Sequence, residues 1–304
     1  MARTSTPQRP FGRMLTAMVT PFTKDGALDE KAAAALAVDL VDLGNDGLVV
    51  NGTTGESPTT SDDEKDRLLR TVVEAVGDRA HVIAGVGTND THHTIELSRA
   101  AEKAGAHGLL VVTPYYNKPP QDSLYAHFTT VADSTSLPVM LYDIPGRSGV
   151  PIATSTLLRL AENPQIVANK DAKGDLFAAQ QVMSRCELVY YSGDDALNLP
   201  LLAVGAVGAV SVTGHLVADR IAAMILAFES GDVELARELN DELVPVTEAV
   251  MGITQGVIAV KAALTQLGRP GGGPLRMPLT SISAEDRKVL FEGLVDGGVV
   301  GFAS

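Results

Sequence analysis

Eight short apolar runs punctuate this chain, and segments of helical period separate them. The runs are LTAMVT (15–20), GLVV (47–50), HVIAG (81–85), GLLVV (108–112), PVMLY (138–142), QIVANK (165–170), LVYYS (188–192) and GAVSV (208–212). The intervening segments include LDEKAAAALAVDLVDL, whose apolar positions recur at three and four, and TSDDEKDRLLRTVVEAV. In the latter, Ser61 with Glu64 three residues on forms the signature of a capping box. Runs that are apolar on both faces belong to parallel strands covered by helices. A weak internal echo fits the same unit: LGNDGLVVNGTTG, AGAHGLLVVTPYY and, more loosely, VGAVGAVSVTGH each pass from a helix end through glycine into a strand and a polar loop. A doubly wound sheet and a closed barrel both accommodate such a series. Eight strands, and no strong GxGxxG after the first, favour the (β/α)8 TIM barrel.

The strand pattern stops after Gly231. DVELARELNDELVPVTEAVM and GVIAVKAALTQLG read as helices, so residues 1–231 are assigned to the barrel and 232–304 to a small C-terminal helical domain. A chain of 304 residues suits one large α/β domain with such an appendage. Residues 1–10 read as a frayed arm, and the tail GGVVGFAS as loosely ordered. The arm has no apolar core of the kind a secretory signal needs, and no apolar run is long enough to span a membrane. A formal net charge of −13 argues against nucleic acid bound through a basic surface, and requires that any anionic substrate meet a local Arg or Lys. The single cysteine, Cys186, cannot form an intrachain disulfide, which fits a reducing compartment; the cytoplasm is expected, with Cys186 acting as a small apolar side chain.

Barrel enzymes build their sites at the C-terminal ends of the strands, and here those ends are unusually polar. They carry Asn51-Gly52-Thr53-Thr54-Gly55-Glu56, Gly87-Thr88-Asn89, Thr113-Pro114-Tyr115-Tyr116, Tyr142-Asp143-Ile144-Pro145-Gly146-Arg147, Lys170, Ser192-Gly193-Asp194-Asp195 and Ser211-Val212-Thr213. Each alone reads as a solvated loop or a cap; Asp194 and Asp195 could simply start a helix. Lys170 admits two readings. A strand-end lysine ordinarily reaches water. A lysine set in a dry barrel mouth instead loses basicity by desolvation, and its neutral amine can attack a ketone to form a Schiff base. Carbinolamine formation and dehydration then need hydroxyls to move protons, and Tyr142, Thr53 and Thr54 are placed to supply them. Lys173 reads as ordinary surface charge. No metal site is expected: His92 and His93 are adjacent rather than one turn apart, and His215 reads as a local hydrogen-bonding residue.

These motifs, in this order, resemble the dihydrodipicolinate synthase family of the pyruvate-dependent class I aldolases, over residues 11–292. The resemblance rests on Gly52-Thr53-Thr54-Gly55-Glu56-Ser57, Thr113-Pro114-Tyr115-Tyr116-Asn117-Lys118-Pro119, Tyr142-Asp143-Ile144-Pro145-Gly146-Arg147-Ser148-Gly149, Lys170-Asp171-Ala172-Lys173-Gly174-Asp175 and Ser192-Gly193-Asp194-Asp195. It implies a barrel with a helical C-terminal domain, assembled as a homotetramer, a dimer of dimers. It also implies cofactor-free condensation of pyruvate with L-aspartate 4-semialdehyde on the route to diaminopimelate and lysine. Lys170 matches the Schiff-base lysine, and Thr53, Tyr142 and Tyr116 the proton relay, with Tyr116 crossing into the partner's site. Thr54 matches the pyruvate carboxylate site, with the Val210 carbonyl and Gly193 beside it, and Arg147 matches the group that holds the semialdehyde carboxylate. Related sugar-acid or sialic-acid aldolases are expected to lack that Arg, so Arg147 with Thr53-Thr54 favours the synthase over such an aldolase or over an inactive barrel kept for binding.

The sequence departs from the family pattern in two respects. Asn169 stands where an apolar residue is usual, and strand alternation turns it toward the helix layer if Lys170 faces the lumen. Asp62, Lys65 and His93 stand where lysine-inhibited members hold their effector, while Ser57 and Asn89 remain. Lys65 and His93 are poor hosts for an ammonium group, so feedback by lysine is expected to be weak or absent.

Overall fold

The computed structural model describes residues 9–299 and Gly301. Strands β1 (Met14–Ala17), β2 (Gly47–Val50), β3 (His81–Gly85), β4 (Gly108–Val112), β5 (Val139–Asp143), β6 (Ile166–Asp171), β7 (Val189–Ser192) and β8 (Gly208–Ser211) pair in chain order, all parallel, and β8 closes on β1. Each expected strand is present, with bounds shifted by one to three residues. The covering helices are α1 (Glu30–Asp42), α2 (Asp62–Val76), α3 (Thr91–Lys103), α4 (Gln121–Ala132), α6 (Thr154–Leu160), α7 (Leu176–Met183), α8 (Asn198–Val204) and α9 (Gly214–Glu229); α5 (Pro145–Ser148) is a single turn after β5.

The strand alternation divides the apolar residues between two cores. Phe11, Leu15, Val49, Ile83, Met140 and Tyr191 fill the lumen, while Leu48, Val82, Leu109 and Leu141 point outward against the helices. Full burial of such a side chain contributes about 1.5–3 kcal/mol. The echoed glycines end their helices as expected: Gly44, Gly105 and Gly205 have φ of +102°, +87° and +118°, values that cost other residues energy. The capping box of α2 is also formed. Ser61 Oγ accepts from the Glu64 N–H, and the Glu64 carboxylate accepts from the Ser61 N–H.

The arm is ordered at its inner end, contrary to expectation. Arg9 Nε donates to the Val207 carbonyl at 3.1 Å and its guanidinium pairs with Glu229. Phe11 is wholly buried in the floor of the barrel, its N–H donating to the Tyr191 hydroxyl. The buried Phe11 ring and the two Arg9 contacts at the barrel floor offset the entropy of ordering these residues. Residues 1–8, the rest of the expected arm, lie outside the described residues, as does most of the tail's end.

Beyond Gly231 come α10 (Val233–Thr247), a π-helical turn (Glu248–Gly252), α11 (Gly256–Gln266) and α12 (Ala284–Asp296). The first two helices match the reading of the sequence, but α12 does not appear in it. Its buried face is only Leu290 and Leu294, too thin a stripe to stand out, although Ser283 caps it by accepting from the Asp286 N–H. Among the described residues no single helix is long and apolar enough to cross a membrane.

Candidate active site

The loops at the C-terminal ends of β2 to β5 enclose a cleft of about 740 Å3. Thr53, Tyr115, Tyr116, Tyr142 and Arg147 line it, together with Ser57, Asn89, Asp62, Lys65 and His93. Lys170 lies behind this wall rather than on it. It is 4% exposed, and its ammonium rests 4.3 Å from the centre of the Tyr142 ring, as expected for neighbours in the β5–β6 register. Desolvation pulls its pKa from 10.5 to about 8; Asp195 pulls it back upward and Arg147 adds to the fall. At pH 7 roughly a tenth of such amines are neutral, against roughly one in 3,000 for a free lysine. Burial pushes Tyr142 up to about 12, so it stays a protonated phenol able to donate or relay a proton.

Gly193 contributes space. A Cβ there would fall 2.9 Å from Lys170 Cγ and 3.0 Å from Cε, so any side chain would displace the Lys170 amine. Its N–H is already given to the Asp171 carbonyl at 2.7 Å. Val210 lies in the lumen and is buried. Thr53 is exposed and Thr54 half-buried, and neither backbone N–H has an acceptor among the described residues. Two free N–H groups on one turn suit a carboxylate. Tyr116 is 88% exposed at a φ of +74°, held out from the barrel on a strained loop. No hydrogen bond joins the Thr53, Tyr142 and Tyr116 hydroxyls among the described residues. Arg147, on α5, is exposed, and its charge acts on both Tyr142 and Lys170.

The sequence reading missed Asp195. Its neighbour Asp194 is the helix cap expected, accepting from the Ala196 N–H. Asp195 instead turns inward and ties β7 to the end of β8, accepting from the Val212 and Thr213 N–H groups at 2.9 Å each, from Asn198 Nδ2 and from the Ser211 hydroxyl. Only the doublet of aspartates hinted at two roles. Lys173 is a correction. It is not surface charge but a partly buried partner of Asp143, 3.5 Å away. The Asp143 carboxyl is fully buried and needs a counter-charge; burial raises its pKa to about 6 even so.

Asn169 faces the helix layer, as alternation requires, and is 0% exposed. Neither of its amide atoms has a hydrogen-bond partner, nor has the Tyr190 hydroxyl, the Asp171 Oδ2 or the Asp143 Oδ2. Asn169 and Tyr190 oppose each other in the β6–β7 register, close enough for the amide to favour the ionised phenol but outside hydrogen-bond geometry. His215 is the local hydrogen-bonding residue expected: Nδ1 meets the Val212 carbonyl at 2.8 Å, Nε2 accepts from the Val19 N–H, and burial lowers its pKa to about 4. Cys186 is half-buried, its Sγ 3.4 Å from the Val182 carbonyl.

The family model of the dihydrodipicolinate synthetase family matches residues 10–295. The 4-hydroxy-tetrahydrodipicolinate synthase 2 of Streptomyces coelicolor is 64% identical over 299 residues, covering 98% of this chain and 99% of that one. The 4-hydroxy-tetrahydrodipicolinate synthase of Mycolicibacterium paratuberculosis is 57% identical, over 92% of this chain and 93% of that one. Among solved structures, the enzyme of Cyanidioschyzon merolae with lysine bound superposes with a TM-score of 0.93 at 41% identity, covering 96% of this chain and all of that one. Matched in sequence along nearly its whole length and in the closed barrel it forms, this chain belongs to the dihydrodipicolinate synthetase family.

Proposed function

We propose that this chain is a lyase that condenses pyruvate with L-aspartate 4-semialdehyde through an imine on Lys170, serving diaminopimelate and lysine biosynthesis. The observation that carries the reading is the Lys170 amine itself, buried over Tyr142 with its pKa brought to about 8 behind a cleft that presents Arg147. The neutral amine attacks C2 of pyruvate, whose carboxylate accepts from the Thr53 and Thr54 N–H groups. Tyr142 passes a proton to the departing hydroxyl, water leaves, and the imine forms. Loss of a methyl proton gives the enamine, which adds to the aldehyde carbon while that oxygen takes up a proton. Arg147 holds the carboxylate of the semialdehyde; this also answers how a chain of net charge −13 receives two anions. Attack of the substrate's own amino group on the imine carbon then closes the ring and frees Lys170.

Borohydride reduction in the presence of pyruvate, followed by peptide mass mapping, tests the imine. A reduced adduct on Lys170 is expected; a modified lysine elsewhere, or none, refutes it.

The working assembly is a cytoplasmic homotetramer in which Tyr116 completes the relay of the partner's site. An exposed tyrosine on a strained backbone supports this. Co-expression of Lys170→Met and Tyr116→Phe chains tests it, because a mixed dimer then holds one complete site. Activity above that of either variant alone is expected. The helices that follow Gly231 form the appended helical domain of this enzyme.

A further inference from the structure

Glu56 and Lys261 lie 205 residues apart in sequence, yet both side chains are 1% exposed and form an ion pair. Lys261, on α11, donates to Glu56 Oε1 at 2.5 Å and to the Pro274 carbonyl at 2.9 Å, and its ammonium lies 4.4 Å over the Phe22 ring. Glu56 Oε2 accepts from the Arg276 N–H at 2.9 Å. The Arg276 guanidinium packs on Phe22 at 4.1 Å and donates to the Gly26 and Thr59 carbonyls and to Glu64. A buried pair of this kind is seldom more stabilising than an apolar pair of the same volume. Its presence calls for something that it holds in place.

What it holds is the turn that carries Thr53 and Thr54. Glu56 adopts a φ of +56°, a left-handed backbone that costs any residue with a Cβ. Its N–H donates to the Thr53 carbonyl at 3.1 Å, so the placement of Glu56 fixes the turn before it. At the near end of the same turn Asn51 is also left-handed, at +61°, and its Nδ2 is anchored on the Lys65 carbonyl. Between them Thr20 Oγ1 donates to the Gly55 carbonyl at 2.5 Å. Two strained residues thus bracket the pair of free N–H groups, and each is pinned by its own side chain. The pin at the far end comes from the helices that follow the barrel.

We propose that Glu56 and Lys261 are positioning residues for pyruvate: their ion pair locks residues 52–56 so that the Thr53 and Thr54 N–H groups face the carboxylate. The inference rests on the reading that these two N–H groups bind that carboxylate. It gives the C-terminal helices a role in substrate binding although none of them lines the cleft.

The test compares Lys261→Met, the double variant Glu56→Gln/Lys261→Met, and Arg276→Gln, which loosens the covering segment without stranding a charge in the core. For each, the melting temperature, kcat, the KM of both substrates and the pyruvate concentration that half-saturates borohydride trapping are measured. A rise of about tenfold in the pyruvate KM and in the half-saturating pyruvate is expected for Lys261→Met and for the folded double variant, with the semialdehyde KM within about twofold. Arg276→Gln is expected to shift the same two quantities in the same direction by a smaller factor. Unchanged pyruvate saturation in a folded Lys261→Met or double variant overturns the proposal. Should Lys261→Met and the double variant both fail to fold, unchanged pyruvate saturation in Arg276→Gln overturns it equally. Parallel loss on both substrates, tracking only the fraction of folded protein, does the same. Unaltered protein that traps no pyruvate on Lys170 refutes the imine reading instead, and this inference falls with it.

Discussion

Replacing the buried Lys170 by an apolar residue of equal length should make the free protein more stable. Lys170 is 4% exposed and, mainly through desolvation, its pKa lies at about 8 rather than 10.5. The difference corresponds to about 3 kcal/mol, at about 1.4 kcal/mol per pH unit. Below pH 8 the lysine is charged in both the folded and unfolded chain, so the folded chain bears that penalty in full. Between pH 8 and 10.5 the folded chain releases the proton while the unfolded chain keeps it, and the penalty fades to nothing. Lys170→Met is therefore expected to gain about 3 kcal/mol at pH 7. With an unfolding entropy of about 2 cal/mol/K per residue over 304 residues, this is roughly 5 °C in Tm. Denaturant unfolding of both proteins without pyruvate, at pH 7 and again near pH 10.5, measures it. A variant no more stable than its parent at pH 7, or a gain that does not shrink as the pH rises, would refute the account of Lys170 as a desolvated amine.

Other substitutions separate the remaining roles. Arg147→Gln should raise the semialdehyde KM at least tenfold, yet leave trapping of pyruvate on Lys170 in place; steady-state kinetics and borohydride trapping read the two effects. Asp143 is fully buried and its pKa is raised to about 6, so its ionised form weighs on the folded chain above pH 6 and not below pH 4. Asp143→Asn should accordingly stabilise by about 3 kcal/mol at pH 7.5, with a gain that disappears near pH 4 in thermal or urea unfolding. Lysine should inhibit weakly or not at all. Asp62, the one acid of its trio, is already engaged by His93 at 2.9 Å and by Lys65 at 3.5 Å, and an inhibition curve reaching half-effect below millimolar lysine would contradict this.

The barrel was legible because parallel strands sealed on both faces leave long apolar words in the sequence, and because glycine marks the end of helix after helix. The direction of Asn169 followed from alternation alone. Helix α12 was hidden because two buried leucines, Leu290 and Leu294, are all that its face requires. Lys173 was misread because charge looks exposed until a buried carboxylate such as Asp143 is known to lie beneath it. Asp195 could be recognised as polar and near the rim, but which of two adjacent aspartates turns inward depends on where β8 ends. The pairing of Glu56 with Lys261 joins residues no local pattern connects; only closure of the barrel and the return of α11 across its rim bring them together.

The unsatisfied polar seam behind Lys170 has a consequence for how the barrel comes apart. Asn169, Asp171 and Tyr190 put four hydrogen-bonding atoms without partners between β5, β6 and β7, beside Asp143 Oδ2, whose ion pair with Lys173 spans 3.5 Å, and the β5–β6 register slips between Val139 and Met140. Water entering there gains bonds that the closed wall withholds. The backbone amides of β6 are thus expected to exchange with solvent through smaller openings than those of β2 or β3, whose outward side chains are hydrocarbon. The stave that carries Lys170 is thus expected to open to water before its hydrocarbon-backed neighbours, so that the proposed chemistry and mechanical weakness share a strand.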